Sequence, residues 1–184
     1  MTITVTPEKF TMVNYDAGEI AAIVQKLLDQ IGLSDVDVEV KVDETSPLGR
    51  AHVVSEDPVV IEAESGAIED PKRPRQLSPA NTIDVIGRAL LRVADRRSGG
   101  FAEAPADADL TLPQSVAWAV YANGRLERLG YASQRQRWLY HFRNRHGFTD
   151  TVDAAFDKLW TGPSFTWQQL VEISEGAMTH EPAA

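Results

Sequence analysis

Four valines placed two residues apart constrain the fold of this chain more than any other feature of its sequence. They alternate with charged residues from Val36 to Asp43, in the order Val-Asp-Val-Glu-Val-Lys-Val-Asp. Successive side chains of a β-strand point to opposite faces of a sheet. The pattern therefore predicts a strand with one buried apolar face and one solvent-exposed polar face.

A helical pattern precedes this strand. Asp16 is a predicted N-cap and Gly32 a predicted helix end. Between them, apolar residues recur at helical spacing: Ile20, Ile23, Val24, Leu27, Leu28 and Ile31. Turn residues then separate two further predicted strands, at 50–54 and 59–64. The first section is thus predicted to be a helix followed by a three-stranded antiparallel sheet, with 1–6 as a short edge strand.

The rest of the sequence predicts a loop and then helices. Residues 69–76 contain two prolines and are expected to form an extended loop. Cap residues, glycine stops and apolar spacing predict these helical segments: 78–97, 112–129, 133–146 (with Ser133 and Gln136 as its capping box), 152–160 and a short helix after Thr166.

Together these elements predict an α+β fold. We expect the N-terminal helix and the small three-stranded antiparallel sheet to pack with a C-terminal helical half. The expectation is a single domain over 1–184. Its subregions are an α/β section at 1–70, a helical section at 71–176 and a flexible tail at 177–184.

Composition excludes several classes of function. The 184 residues include no cysteine, which excludes disulfides, a cysteine nucleophile and a thiolate metal site. No apolar run approaches 18 residues and no basic-then-apolar leader is present, so we expect a cytoplasmic protein without a membrane span. Glycine-rich nucleotide motifs and a Gly-x-Ser-x-Gly elbow are also missing.

The histidines do not predict a metal site. They are His52, His141, His146 and His180. Only His141 and His146 share a predicted element, and five residues place them about 140° apart around a helix, so they would diverge. We therefore expect neither a metal nor another cofactor.

Charge is strongly segregated along the chain. Residues 1–70 carry 15 acidic and 4 basic residues, a formal charge of −11, whereas residues 71–147 carry 6 acidic and 13 basic residues, or +7. Residues 148–184 return to −5, within a total of −9. The acidic total argues against general binding to nucleic acid or anionic lipid, but a basic middle face can still attract anions locally.

An acidic face is predicted on the open side of the sheet. Its candidates are Asp37, Glu39, Asp43, Glu62 and Glu64. Three interpretations stay open here: a general acid–base pair in a cleft, a solvated sheet face, and a face that docks a basic partner or the chain's own arginines.

A basic face is predicted on the helices between 125 and 146. Its candidates are Arg125, Arg128, Arg135, Arg137, His141, Arg143, Arg145 and His146. Arginine suits flat, bidentate recognition of carboxylate or phosphate. An ion-pair surface, internal or intermolecular, is the favoured interpretation. A helix-turn-helix that presents Gln134–Arg137 to base edges is the alternative.

The order helix, three strands, helix over residues 16–97 resembles that of minimal zinc metallopeptidases. In that family, the helix after the sheet carries two metal-binding histidines four residues apart, with a glutamate after the first. Here this helix reads Asn-Thr-Ile-Asp-Val-Ile-Gly-Arg-Ala-Leu-Leu-Arg from Asn81 to Arg92, without histidine or glutamate. The resemblance implies a zincin-like scaffold that lacks the metal.

A second resemblance rests on four stretches: Ile68–Gln76, Asp95–Arg97, Ser115–Tyr121 and Tyr140–Phe148. They are similar to an uncharacterised family of actinobacteria with GC-rich genomes. The preference for arginine over lysine agrees with that origin. The resemblance implies no activity.

These observations favour a non-catalytic binding protein over an enzyme. We expect the basic face to meet an acidic protein surface, a second copy of the chain or a phosphate-bearing ligand. The alternatives are a hydrolase-derived scaffold without metal and a DNA-binding regulator.

Overall fold

A computed structural model of the protein describes residues 1–132 and 134–179. Contacts within the chain divide it into two compact units, unit 1 at 1–94 and unit 2 at 95–184. The α+β class is confirmed, while the single domain stays a prediction.

Unit 1 contains a mixed four-stranded sheet. Its strands are β1 (Ile3–Thr6), β2 (Val38–Asp43), β3 (Ala51–Glu56) and β4 (Val59–Glu64). The order across the sheet is β1-β2-β4-β3, with β1, β2 and β4 mutually parallel and β3 antiparallel to β4. The prediction of a three-stranded antiparallel sheet is therefore wrong in strand number and direction.

The connections explain this sheet order. Helix α1 (Ala17–Ile31) lies between β1 and β2 in the chain, and a helical crossover joins parallel strands. Seven residues, 44–50, connect β2 to β3, more than a tight hairpin uses. Strand β4 then occupies the place between them. Its run Val59-Val60-Ile61 is buried, as is typical of a central strand with a neighbour on each side.

The predicted alternation of β2 is confirmed. Val38, Val40 and Val42 are buried, and the charged residues between them lie on the opposite face. Helix α1 contacts β1 and has a buried stripe that consists of Ile20, Val24, Leu27 and Leu28. The Asp16 side chain accepts the backbone N–H of Glu19, and Gly32 ends the helix in the left-handed region at φ 84°.

A second, two-stranded sheet replaces the predicted loop at 69–76. It consists of β5 (Glu69–Asp70) and β6 (Arg73–Leu77). The Asp70 carboxylate forms the turn between them, because it accepts the backbone N–H of Lys72 and the Nε–H of Arg73, both at 2.9 Å. Helix α2 (Pro79–Arg97) follows, as predicted.

Unit 2 is helical. Its helices are α3 (Leu112–Arg128), α4 (Arg135–His146), α5 (Asp150–Thr161) and α6 (Trp167–Met178). Thr111 and Thr166 cap α3 and α6 in capping boxes, as the sequence predicts. The predicted cap of α4, Ser133, lies outside the described residues, and Gln134 occupies the N-cap position.

Helix α3 occupies the centre of unit 2 and contacts α4, α5 and α6. Trp118, Phe142, Phe156 and Leu170 form part of the hydrophobic core of this unit. The approach of α3 to α5 is closest at Gly124, where an added Cβ would lie 2.0 Å from the carbonyl oxygen of Trp160. No larger residue fits this position without moving the backbone.

The sequence predicts a flexible tail at 177–184 and no membrane span. Of the predicted tail at 177–184, Ala177 and Met178 belong to α6, and 180–184 lie outside the described residues. Within 1–132 and 134–179, no helix is long and apolar enough to cross a membrane.

Candidate functional site

The structure places the predicted basic residues in two different environments. Four of them, which we call the inner arginines, bind groups of unit 2 itself: Arg125, Arg128, Arg135 and Arg143. The other four are the exposed Arg137 and Arg145, the half-buried His141 and the buried His146. The predicted set therefore does not form a single exposed face.

Arg125 belongs to a buried network at the centre of unit 2. Its two terminal nitrogens donate to the two carboxylate oxygens of Asp95 at 2.6 and 2.7 Å. The indole N–H of Trp118 donates to the same carboxylate at 2.7 Å. The guanidinium also lies 3.9 Å from the centre of the Tyr121 ring. This arrangement fixes Arg125 as an internal structural residue.

Arg128 completes the end of a neighbouring helix. It donates to the carbonyl oxygens of Trp160 and Gly162, at 2.7 and 3.0 Å. These carbonyls lie at the C-terminus of α5, where backbone acceptors have no helical partner. A cation is also favourable at this end of the helix dipole. Arg128 thus acts as a side-chain cap for α5.

The remaining two inner arginines join α4 to α5. Arg135 pairs with Asp157 and lies over the Phe156 ring. Arg143 donates two hydrogen bonds to Asp153, at 2.8 and 2.6 Å. This bidentate contact lowers the pKa of the Asp153 carboxyl and raises that of Arg143. Both pairs are internal ion pairs between adjacent helices.

His146 is also internal. It is 7% exposed, and its ring stacks on Phe142 with 3.8 Å between ring centres. Since a carbonyl can only accept, the Phe142 oxygen at 3.0 Å places a proton on Nδ1, and Nε2 then accepts the Ser174 hydroxyl at 2.7 Å. Burial lowers the pKa of His146, so the ring is neutral at pH 7. His141 is half-buried beside Trp138 and Tyr140.

The exposed remainder is narrower and more aromatic than the predicted face. We call it the outer α4 face, and it consists of Arg137, Tyr140, Asn144, Arg145 and Phe148. Tyr140 is 60% exposed and Phe148 is 65% exposed. Helix α4 contains no acidic residue. The aromatic members were not among the predicted site residues, although Tyr140 lies three residues after Arg137 on α4 and therefore on a neighbouring part of its surface.

The predicted acidic residues do share one side of the unit 1 sheet. This side, which we call the open sheet face, carries all five of them: Asp37, Glu39, Asp43, Glu62 and Glu64. Each has a local partner. Asp37 accepts a hydrogen bond from the backbone N–H of Thr2 at 2.6 Å. Asp43 accepts one from the backbone N–H of Thr45 at 2.9 Å and one from the Thr45 hydroxyl at 2.6 Å. The Thr45 bonds lower the pKa of Asp43.

Basic residues are interspersed with these acids. Lys41 lies 3.8 Å from Glu39, His52 lies 3.8 Å from Glu62, and the Arg50 Nε lies 3.7 Å from Glu64. These three basic residues were not among the predicted site residues. The alternation that predicts Glu39 and Asp43 also contains Lys41, whereas the position of His52 depends on the pairing of β3 with β4.

A cavity of about 510 Å³ opens on this side of the sheet. Its polar lining includes Lys41, Asp43, Arg50, His52, Glu62 and Glu64. In the described part of the chain, no three His, Asp or Glu side chains are grouped so that they could hold a metal ion. The predicted His180 lies outside that part.

No protein-family model, no curated protein and no solved structure matches this chain. The zincin-like and actinobacterial resemblances therefore stay predictions.

Proposed function

We propose that the protein is a binding protein whose outer α4 face contacts an acidic surface of a partner protein. The observation that carries this proposal is that Arg137, Tyr140, Arg145 and Phe148 are all exposed within twelve consecutive residues. Large exposed aromatic side chains grouped with arginine are typical of the energetically dominant part of protein interfaces.

Charge defines the partner. Each inner arginine has an acceptor within unit 2, but Arg145 and Arg137 point from a helix without acids. An approaching carboxylate can accept two hydrogen bonds from such a guanidinium. The rings supply apolar area next to these bonds. The partner therefore combines acidic and apolar side chains on one surface.

Two observations favour protein over nucleic acid. One residue that a recognition helix would present to base edges is engaged within unit 2, since Arg135 pairs with Asp157. The chain also carries a formal charge of −9, which repels a polyanion at long range. The DNA-binding interpretation stays the weaker prediction.

The test compares two double variants in native mass spectrometry of protein isolated at low ionic strength from its own cells. Arg137→Glu with Arg145→Glu reverses charge on the outer α4 face. The control, Lys72→Glu with Lys158→Glu, also reverses two positive charges, but at exposed positions outside the outer α4 face. We expect the wild type and the control to carry the same partner protein, and the α4 variant to lose it at least tenfold.

Three outcomes would overturn this proposal: a wild type that appears only as a bare monomer, a partner kept by the α4 variant, or a bound nucleic acid in place of a protein. A dimer that the α4 variant loses would support it and identify a second copy of the chain as the acidic partner, because residues 1–70 carry −11. Arg125 is unsuitable for this test because its change would disrupt the Asp95 network.

The zincin-like alternative is supported by its element order. On α2, Asp84 and Arg88 are one turn apart and form an ion pair at 3.2 Å. Histidines one turn apart would be the metal ligands of that family. A metal-less, hydrolase-derived scaffold is the second proposal, and the absence of zinc binding by equilibrium dialysis is its expected result. Stoichiometric zinc binding would contradict it.

A further inference from the structure

The cavity of unit 1 lies at one end of the open sheet face. Thr6, Asp43 and Glu64 are the last residues of β1, β2 and β4, and all three line it. These strands are parallel, so the cavity lies at their shared carboxyl end. Open α/β sheets bind ligands in crevices at this end. The position alone makes the cavity a candidate ligand site.

Strand register places four polar side chains in a row across the cavity floor. Thr6 pairs with Lys41, Lys41 with Glu62, and Glu62 with His52, each across adjacent strands. The His52–Glu62 contact of 3.8 Å is longer than a hydrogen bond. The same holds for Lys41, whose ammonium lies 3.8 Å from Glu39. These groups therefore keep capacity to bind a polar ligand.

A second row lies two residues further along the strands and is acidic. Asp43 and Glu64 are directly paired on β2 and β4. Like charges that face each other across strands are unfavourable. Thr45 holds Asp43 in its ionised form, as the lowered pKa of this group indicates, and Glu64 accepts the backbone N–H of Arg50 at 2.9 Å. Arg50 lies 3.7 Å from Glu64, so one arginine faces two adjacent carboxylates and the row keeps a net negative charge that attracts a cation.

We propose that this cleft binds a zwitterionic ligand of dipeptide size, with its ammonium at Asp43 and Glu64 and its carboxylate at Lys41, on the side away from Glu62. Two residues along a strand separate the rows by about 6.6 Å. That distance suits the two ends of an extended dipeptide better than the closer charges of a single α-amino acid. The cavity volume of about 510 Å³ is within the range of small-molecule sites.

The composition of the lining excludes the simplest alternatives. It combines the basic Lys41 and Arg50 with three carboxylates and His52, so neither a phosphate-like anion nor a bare cation meets a matching field. None of the ten described lining residues is Phe, Tyr or Trp, so a sugar ring has no aromatic face to stack on.

Calorimetric titration tests this proposal with four probes: Ala-Ala, its N-acetyl form, its C-terminal amide, and alanine. We expect saturable binding of Ala-Ala and at least tenfold weaker binding of each of the other three. Equal binding of Ala-Ala and either blocked form would overturn the proposal, as would the absence of Ala-Ala binding at a concentration of about 10 mM, where a site of even millimolar affinity would be largely filled.

Paired variants assign the two ends of the ligand. Lys41→Met should weaken Ala-Ala binding at least tenfold and leave binding of the amide nearly unchanged. Glu64→Gln keeps an oxygen acceptor for the Arg50 N–H and should weaken Ala-Ala but not the N-acetyl form. Asp35→Asn, at an exposed position outside the cavity lining, is the matched control with unchanged binding. The reverse pattern, or equal losses in the control, would contradict the assigned orientation.

Discussion

The inner arginines of unit 2 and the open sheet face of unit 1 both pair basic with acidic side chains, but these pairs have different roles. In unit 2, Arg125 and Arg143 bind carboxylates through paired hydrogen bonds of 2.6–2.8 Å. On the sheet, Lys41, His52 and Arg50 lie 3.7–3.8 Å from theirs. The first set stabilises a fold, and the second keeps its polar groups available. Charge density in a sequence does not distinguish the two, because the difference lies in distance and burial.

The largest effect is expected at Asp95. Asp95→Asn removes the charge that Arg125 and Trp118 share, and it leaves a poorly solvated guanidinium. We expect a loss of about 3 kcal/mol in the free energy of unfolding of unit 2. Tryptophan fluorescence in urea measures it, because all four tryptophans belong to unit 2. Asp109→Asn, at an exposed site, is the control and should leave the free energy of unfolding nearly unchanged. An equal loss of this free energy in both variants would contradict a structural role for the Asp95 network.

The next effect depends on pH. Burial lowers the pKa of His146 in the folded state below its ordinary value of 6.5. At a pH between the folded and the unfolded pKa, the unfolded chain therefore binds a proton at this histidine that folded unit 2 does not. The free energy of unfolding of unit 2 should therefore fall as the pH decreases below about 6.5. Urea unfolding at pH 7 and 5 measures it. His146→Gln should flatten this slope and His52→Gln should not; an unchanged slope in His146→Gln would disprove the assignment.

A smaller effect is expected at the half-exposed pair of Arg143 and Asp153. Solvent screens this pair even though its geometry is bidentate. Arg143→Met should lower the free energy of unfolding of unit 2 by about 0.5–1 kcal/mol. Arg145→Met, on the outer α4 face, should leave it within about 0.3 kcal/mol. A larger loss for Arg145 than for Arg143 would mean that the two faces of α4 have been assigned the wrong way round.

The smallest effect is expected on the open sheet face. Lys41→Met breaks only a 3.8 Å contact and should change local stability by less than about 0.5 kcal/mol. Amide hydrogen exchange of β2 and β4 measures the local free energy of opening. A change above 1 kcal/mol would place Lys41 with the inner arginines as a structural residue, and the contrast between the two regions would then fail.

The helices could be predicted from the sequence because their signals are local. Asp16 and Gly32 at the two ends of α1, and the capping boxes at Thr111 and Thr166, act within one turn of the helix. Each cap satisfies backbone groups of its own segment. The same is true of the alternation in β2. These elements require no knowledge of distant parts of the chain.

The strand order could not be predicted in this way. Alternation determines which face of β2 is buried, but not which strand lies beside it. The choice between β3 and β4 as the neighbour of β2 is made by the connection at 44–50 and by the buried run of β4. A buried run of three apolar residues, Val59–Ile61, was the available signal for a central strand.

The roles of the arginines depend on long-range pairing as well. Arg125 and its acceptor Asp95 are 30 residues apart, and Arg128 reaches carbonyls 32 and 34 residues later. No spacing rule connects such positions. By contrast, the place of the five acidic residues on one side of the sheet follows from local alternation, which requires no distant partner.

The parallel crossover of unit 1 also has a consequence for the order of events during synthesis. Strand β1 is made first, but its only neighbour in the sheet begins at Val38, and β2 in turn lies beside β4, which ends at Glu64. A nascent chain therefore cannot complete this sheet before residue 64 has left the ribosome. Until residue 43 has emerged, β1 has no strand to pair with, and the closure of a long loop precedes the gain from strand pairing.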